Sequence, residues 1–263
     1  MRLKWYGTAT MLIEQDGAWL LFDPFIPLNT ESFRPPIDEL AAADSILVTH
    51  GHFDHISGIP AILKNSGCSA TVYCYTKPRK KLIAQGMDGY QIKAVAPGDV
   101  LHLPPFEIRV LKGKHIVFDK TLLIKKLSSL LAPANWGKLR AVLKLHRTYN
   151  EIGEILIYDV RVKDKRILFL GSLNVDEHTE YPKGADLLVL PLQGRSDIHA
   201  HAMRIVEDLE PKKLMLIHFD NTFPPFSSSV AAEPLVSLMW SNLPDVEVIC
   251  PCASAGWIDI SLA

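Results

Sequence analysis

The chain has 263 residues, 48% of them hydrophobic and 22% charged, with a formal net charge of -1. Such a length buries a sizeable core and reads as one domain over residues 1–263, not a small disulfide-built scaffold. No stretch approaches the ~18 apolar residues a membrane span needs.

The opening Met1-Arg2-Leu3-Lys4-Trp5-Tyr6-Gly7 is not a basic segment followed by an apolar signal core, so secretion is not indicated. Short apolar runs at Leu3–Tyr6, Thr10–Ile13 and Trp19–Phe22 read as strands, with Asp16-Gly17 as a hairpin turn between the last two. Further strands are expected at Ile46–Thr49, Thr71–Tyr75, Ile92–Val95 and Phe106–Leu111, and helices at Ser57–Lys64 and Lys77–Ala84. The pattern resumes with strands Ile152–Val162, Arg166–Leu170 and Leu187–Leu190, a helix over Ile198–Leu209 and strand Leu214–Ile217. A helix near Val230–Trp240 and strands Val246–Cys250 and Trp257–Ile260 complete the chain. Meanders first and strand–helix alternation later suggest two packed sheets with helices outside. Ile46-Leu47-Val48-Thr49-His50 and Leu214-Met215-Leu216-Ile217-His218 echo one another, each a buried strand that delivers a His at its end.

Between these halves the charge is uneven. Residues 112–150 hold nine basic side chains against one acidic, Asp119, a local +8 that leaves -9 elsewhere. Within them Leu123, Ile124, Leu127, Leu130 and Leu131 describe an amphipathic helix with Lys125 and Lys126 on its polar side, stopped by Pro133. A second helix would carry Trp136, Leu139, Leu143 and His146 on one face. We expect residues 113–150 to form a basic helical lid over a cleft, and an ordinary helical pair with a solvated face is the competing reading. The block points to an anionic partner. Its one nearby aromatic, Trp136, argues against a single-strand nucleic-acid binder, which interleaves several. Docking of the basic helix on an anionic membrane stays open as peripheral contact. Cys68, Cys74, Cys250 and Cys252 match no zinc ribbon and read as reduced thiols of a cytoplasmic protein. Cys250 and Cys252 would share one strand face.

The chemistry concentrates in His50-Gly51-His52-Phe53-Asp54-His55, four metal-binding side chains within six residues at the end of a buried strand. Imidazole and carboxylate are the ligands of catalytic zinc. The spacing is not that of a helical site, which places two His at i and i+4. Alternation along a turn lets two sets of ligands point to two nearby positions.

These residues resemble the metallo-β-lactamase superfamily, over nearly the whole chain. Gly7-Thr8-Ala9-Thr10 with Leu21-Phe22-Asp23-Pro24 is similar to its opening hairpin, and His50, His52, Asp54 and His55 match its ligand motif residue by residue. His115 resembles the third His of the first site, with His102 and His146 as competitors, and His218 the last His of the second. The stretch around His218, with Leu190-Pro191-Leu192, looks most like the ascorbate-phosphate lactonase branch. The resemblance implies a four-layer αββα sandwich and a metal-dependent hydrolase that directs a metal-activated hydroxide at a small anionic ester, either a phosphoester or a phosphorylated lactone. It implies one ion among His50, His52 and His115 and another among Asp54, His55 and His218. Asp54 would also be catalytic, orienting or deprotonating the nucleophile, and Asp23 would hold a His ring from behind. Zinc suits such ligands, one or two ions per chain, with manganese or iron as alternatives.

One departure matters. The family's bridging Asp is replaced by Ser172 in Gly171-Ser172-Leu173-Asn174. A neutral hydroxyl there leads us to expect one tightly held zinc and a weaker second ion. It also motivates a different reading, a degenerate metal- or ligand-binding member without turnover; a nuclease is the third. In the stretch Gln193–His201, Arg195 could clamp a carboxylate or phosphate and His199 or His201 serve as acid. The bland alternative pairs Arg195 with Asp197 and leaves both His as ordinary helix residues.

Overall fold

A computed structural model describes residues 1–117, 119, 133–149, 152–224 and 227–260. β1 (Arg2–Trp5), β2 (Met11–Gln15) and β3 (Ala18–Phe22) form an antiparallel meander. Its second turn is tight because Asp16 and Gly17 accept φ of +52° and +83°. β4 (Ser45–Leu47), β5 (Thr71–Cys74) and β6 (Ile92–Ala94) add in parallel, and the last strand, β14 (Ile258–Asp259), returns to pair with β1.

The second sheet repeats this plan. β7 (Val100–Leu103), β8 (Phe106–Lys112), β9 (Leu156–Val162) and β10 (Lys165–Leu170) are antiparallel neighbours. β11 (Leu187–Pro191), β12 (Lys213–Ile217) and β13 (Glu247–Ile249) continue in parallel. Each sheet has seven strands. By position β4 corresponds to β11 and β5 to β12. The two strands whose sequences echo, β4 and β12, are therefore not topological equivalents.

Helices α1 (Ile37–Ala41), α2 (Phe53–Ile56), α3 (Ile59–Leu63), α4 (Thr76–Ala84) and α5 (Trp136–Thr148) lie on the side of the first sheet. α6 (Ile198–Leu209) and α7 (Glu233–Asn242) cover the second. The core between the sheets joins Met11 and Phe22 to Phe106, Tyr158 and Met215, and Phe22 stacks on Phe169 at 4.3 Å. Separate apolar clusters fill the two outer layers. The expected αββα sandwich is the observed architecture.

Several boundaries differ from expectation for local reasons. β7 and the short α1 and α2 carry too few periodic positions to announce themselves. The strand expected from Ile152 starts at Leu156, because Gly153 takes φ +76° and packs against Tyr75 and Pro78. α5 buries Val142 and Tyr149, with Leu145 packed beside them, instead of the face of Trp136, Leu143 and His146. The reason is tertiary: Tyr149 donates from its hydroxyl to Gln85 Oε1 at 3.0 Å, fixing the rotation of the helix. The amphipathic helix expected over Leu123–Leu131 lies outside the described residues. Among the described residues no helix is long and apolar enough to cross a membrane.

Candidate metal centre

The chain leaves β4 through Val48 and Thr49, both buried, and then presents His50 to His55 across the edge between the sheets. Backbone bonds clamp this segment to the second sheet: Leu156 N donates to Thr49 O at 2.8 Å and Gly51 N to Ile152 O at 2.9 Å. Tyr158 donates its hydroxyl to Val48 O at 2.7 Å. The one-turn α2 places Asp54 and His55 beside each other while His52 stays in extended backbone ahead of it. His115 arrives from the connection after β8, and His218 from the end of β12, where it adopts φ +58°. That strained backbone is held by the first hairpin, since His218 N donates to Thr8 O at 2.8 Å.

Two donor clusters result. Ligand atoms of His50, His52 and His115 all lie within 4.8 Å of one another, and so do those of Asp54, His55 and His218. In the first, His52 Nδ1 sits 3.0 Å from His50 Nε2 and 3.1 Å from His115 Nε2. Nitrogens sharing a tetrahedral zinc at its usual bond length stand roughly 3.3 Å apart, so the spacing fits a common cation. In the second, Asp54 Oδ2 is 3.3 Å from His218 Nε2 and 3.8 Å from His55 Nε2.

One buried carboxylate orients both clusters. Asp23, at 0% exposure and φ +43°, accepts from Thr49 N at 2.7 Å, Thr49 Oγ1 at 2.5 Å and His55 Nδ1 at 2.8 Å. With its own proton committed to Asp23, Thr49 Oγ1 must accept from His50 Nδ1, 3.1 Å away. His50 and His55 thus both turn their Nε2 lone pairs toward the ions. His115 reaches the same tautomer by donating from Nδ1 to Ile116 O at 2.7 Å. Asp220 pins the hairpin from the other side. It accepts from Thr8 N at 3.0 Å and occupies space that a Cβ on Gly7 (φ +102°) would enter at 2.8 Å.

Burial, then neighbouring imidazoles, hold His50 well below the usual histidine range, and burial lowers His52 to about 4. Burial lowers His115 too. For His55 burial acts the same way, but the Asp23 and Asp54 carboxylates outweigh it and raise the ring. Burial of Asp54 is in turn outweighed by His55 and His218, which keep it ionised. Between pH 6.5 and about 4 an unfolded chain therefore binds protons that His50, His52 and His115 refuse in the fold, while His55, Asp159 and Asp220, raised in the fold, act in the opposite sense. Metal-free protein is expected to lose stability as pH falls through that window. Urea midpoints measured at pH 7 and 4.5 test this, and an unchanged or higher midpoint at pH 4.5 contradicts it.

The clusters form the floor of a cleft of about 360 Å³. Its walls are mostly apolar: Phe53, Ile116, Val142, Leu143, Leu173 and Phe223. Among the described residues no Lys or Arg lines it. Ser172 does line it, and its Oγ accepts from Ile116 N at 3.0 Å, steadying the loop that carries His115. Arg195, His199 and His201 are not brought to the cleft. Arg195 pairs with Asp197 at 2.6 Å, His199 Nε2 meets Ala231 O at 2.7 Å, and His201 Nε2 meets Leu173 O at 3.0 Å. Their geometry is that of a loop tied down by its own neighbours. Of the competitors for the third ligand, His102 stands on an edge strand beside Glu107, whereas His146 lines the cleft from α5 without joining either cluster. Gln193, which lines the cleft, and Asp220 are not marked as site residues by the sequence pattern. Asp220, two residues after His218, lay inside a motif already noted, but its bond to Thr8 spans 212 positions and leaves no local trace.

Two metal-type donor clusters at the edge of an αββα sandwich define a class of proteins, and the comparisons place the chain within it. Residues 18–219 match the model of the beta-lactamase superfamily domain, and the chain belongs to that family. A UPF0173 metal-dependent hydrolase of Carboxydothermus hydrogenoformans is 42% identical over 69 residues, 26% of this chain and 30% of the relative. One from Methanopyrus kandleri is 31% identical over 116 residues, 44% of this chain and 47% of the relative. The matched region thus spans less than half of either relative. Among solved structures, Igni18, a metallo hydrolase from Ignicoccus hospitalis, superimposes with TM-score 0.65 over 99% of both chains at 17% identity, a likeness of fold.

Proposed function

We propose that this protein is a metal-dependent hydrolase of small esters or lactones that carry an anionic group. The observation that carries the reading is the convergence of two three-donor clusters on the floor of an open cleft. Three protein donors per ion leave a coordination position free, as in catalytic sites. Divalent ions held there would supply Lewis acidity and an activated water. The imidazole-rich donor set suits zinc, with manganese or iron permitted. His50, His52 and His115 would hold one ion, and Asp54, His55 and His218 the other. Asp54, ionised and at the floor, would also orient the attacking water and accept its proton. The apolar walls would seat the body of the substrate and exclude bulk water. α5, with Val142, Leu143 and His146 on the wall, would act as part of the lid expected over residues 113–150. A phosphoester or phosphorylated lactone remains the favoured substrate. Free thiols at Cys68, Cys74, Cys250 and Cys252 fit a reducing, cytoplasmic setting.

Ser172 favours unequal metal affinity, because a neutral hydroxyl engaged with Ile116 N replaces a bridging charge. After exhaustive dialysis we expect one ion to be retained per chain, the second returning only with added metal. Two equally retained ions would sink the inequality. Hydrolysis of phosphodiester, phosphorylated lactone and uncharged ester panels, with zinc or manganese added, tests the activity. No turnover with both positions filled would favour a metal-binding member without catalysis.

A further inference from the structure

The cleft raises a question of charge. An anionic substrate enters a space in which no described Lys or Arg stands, yet the chain concentrates its cations nearby. Neither α4 nor α5 contains an acidic residue. Between them lies a second concavity, of about 710 Å³, separate from the donor clusters. Lys81 enters it from α4, and Arg140, Lys144 and Arg147 from α5. Among the described residues none of these four forms an ion pair, although Lys and Arg elsewhere on the surface repeatedly do. Four unpaired cations on two facing helices repel one another, an arrangement that an anion would relieve.

The groove is also built. Gln85 lines it and accepts from Tyr149 OH at 3.0 Å, which ties the two helices together, and Gln85 Nε2 is left as a buried donor without a partner. Leu143 belongs to both walls, that of the groove and that of the metal cleft. Leu143 therefore stands between the two spaces.

We infer that this groove binds the phosphate-bearing end of the substrate while the apolar reacting end lies in the cleft. The inference rests on the hydrolase reading and narrows its substrate class. A single phosphate carries at most about two negative charges at neutral pH, which four cations exceed. The structure thus assigns to the groove a diphosphate or a closely spaced pair of phosphates. The two Arg guanidinium groups would clamp phosphate oxygens bidentately, and the two Lys would act as point charges.

The test uses inorganic pyrophosphate, titrated calorimetrically into the full-length, metal-loaded protein. Binding is read without turnover, so the outcome stands whether or not the cleft proves hydrolytic. Arg140→Gln/Lys144→Gln/Arg147→Gln is expected to weaken pyrophosphate at least ~10-fold, as expected for losing charge-assisted bonds. Lys81→Gln, on the opposite helix, is expected to weaken it ~3-fold or more and gives an independent reading should the triple variant unfold. Orthophosphate is expected to bind more weakly than pyrophosphate. Unchanged pyrophosphate affinity in both variants would place the anion on the metal ions and overturn the proposal. Binding of phosphatidylglycerol vesicles or of a single-stranded oligonucleotide through these same cations, with no pyrophosphate binding, would overturn it in favour of a lipid surface or a nucleic acid.

Discussion

Gly171→Ala is expected to destabilise the protein and to strip it of metal, although it adds only one methyl group. A Cβ at 171 would overlap the Thr49 side chain at Oγ1, Cβ and Cγ2 together. Thr49 is buried and cannot swing aside, because its amide and hydroxyl both serve Asp23 while its oxygen receives His50. Overpacking of this kind costs roughly 1–3 kcal/mol. In a chain of this size that is a fall in melting temperature of about 2–4 °C per kcal/mol. The displacement falls on the hydroxyl that sets the His50 tautomer, so metal retention should drop alongside stability. Thermal melts and metal content after dialysis measure both. Adding Thr49→Gly, which removes Oγ1, Cβ and Cγ2 together, should return the melting temperature in part but not the metal. A Gly171→Ala protein that melts within 1 °C of the parent and keeps its ions would show that the close approach is relaxed at no cost.

Asp23→Asn is expected to weaken metal binding at both clusters, by ~10–100-fold, as is typical when a residue behind a ligating His is lost. The aspartate receives three donors on two oxygens. An asparagine offers one oxygen and one NH2, so at least one donor faces another. Turned one way, the NH2 faces the buried Thr49 amide and displaces Thr49 from its place between Asp23 and His50; turned the other, His55 Nδ1 and Thr49 Oγ1 lose their shared acceptor together. The backbone does not confuse the comparison, because Asn tolerates the positive φ that Asp23 adopts. Competition with a zinc chelator, resolved into two binding steps, reads both ions. If only one step weakens, the relay through Thr49 is wrong.

Much of this was readable beforehand, for identifiable reasons. A dense run of His and Asp after a buried strand needs no tertiary knowledge to suggest a metal site, and strands with period-2 burial show themselves in composition. Asp23 could be pointed to only through family resemblance. Its service to both clusters required coordinates, since Thr49 is an unremarkable residue until its hydroxyl is seen between two partners. The face that α5 buries is not legible in the sequence, because helical periodicity finds an apolar stripe but not the neighbour that selects it, here Tyr149 against Gln85. Arg195 looked like a substrate clamp by residue type, and a carboxylate two positions along, Asp197, engages it first.

Each donor cluster takes two groups from the segment after β4 and one from the far side of the sandwich, His115 or His218. A seated cation is then a rivet between halves, while Leu156 N on Thr49 O, Gly51 N on Ile152 O and His218 N on Thr8 O are separate ties made of backbone along the same edge. Stripping the ions would undo the rivets and spare the ties. The emptied molecule would keep its seam closed, with only the imidazoles and the carboxylate loosened on a backbone that stays in register.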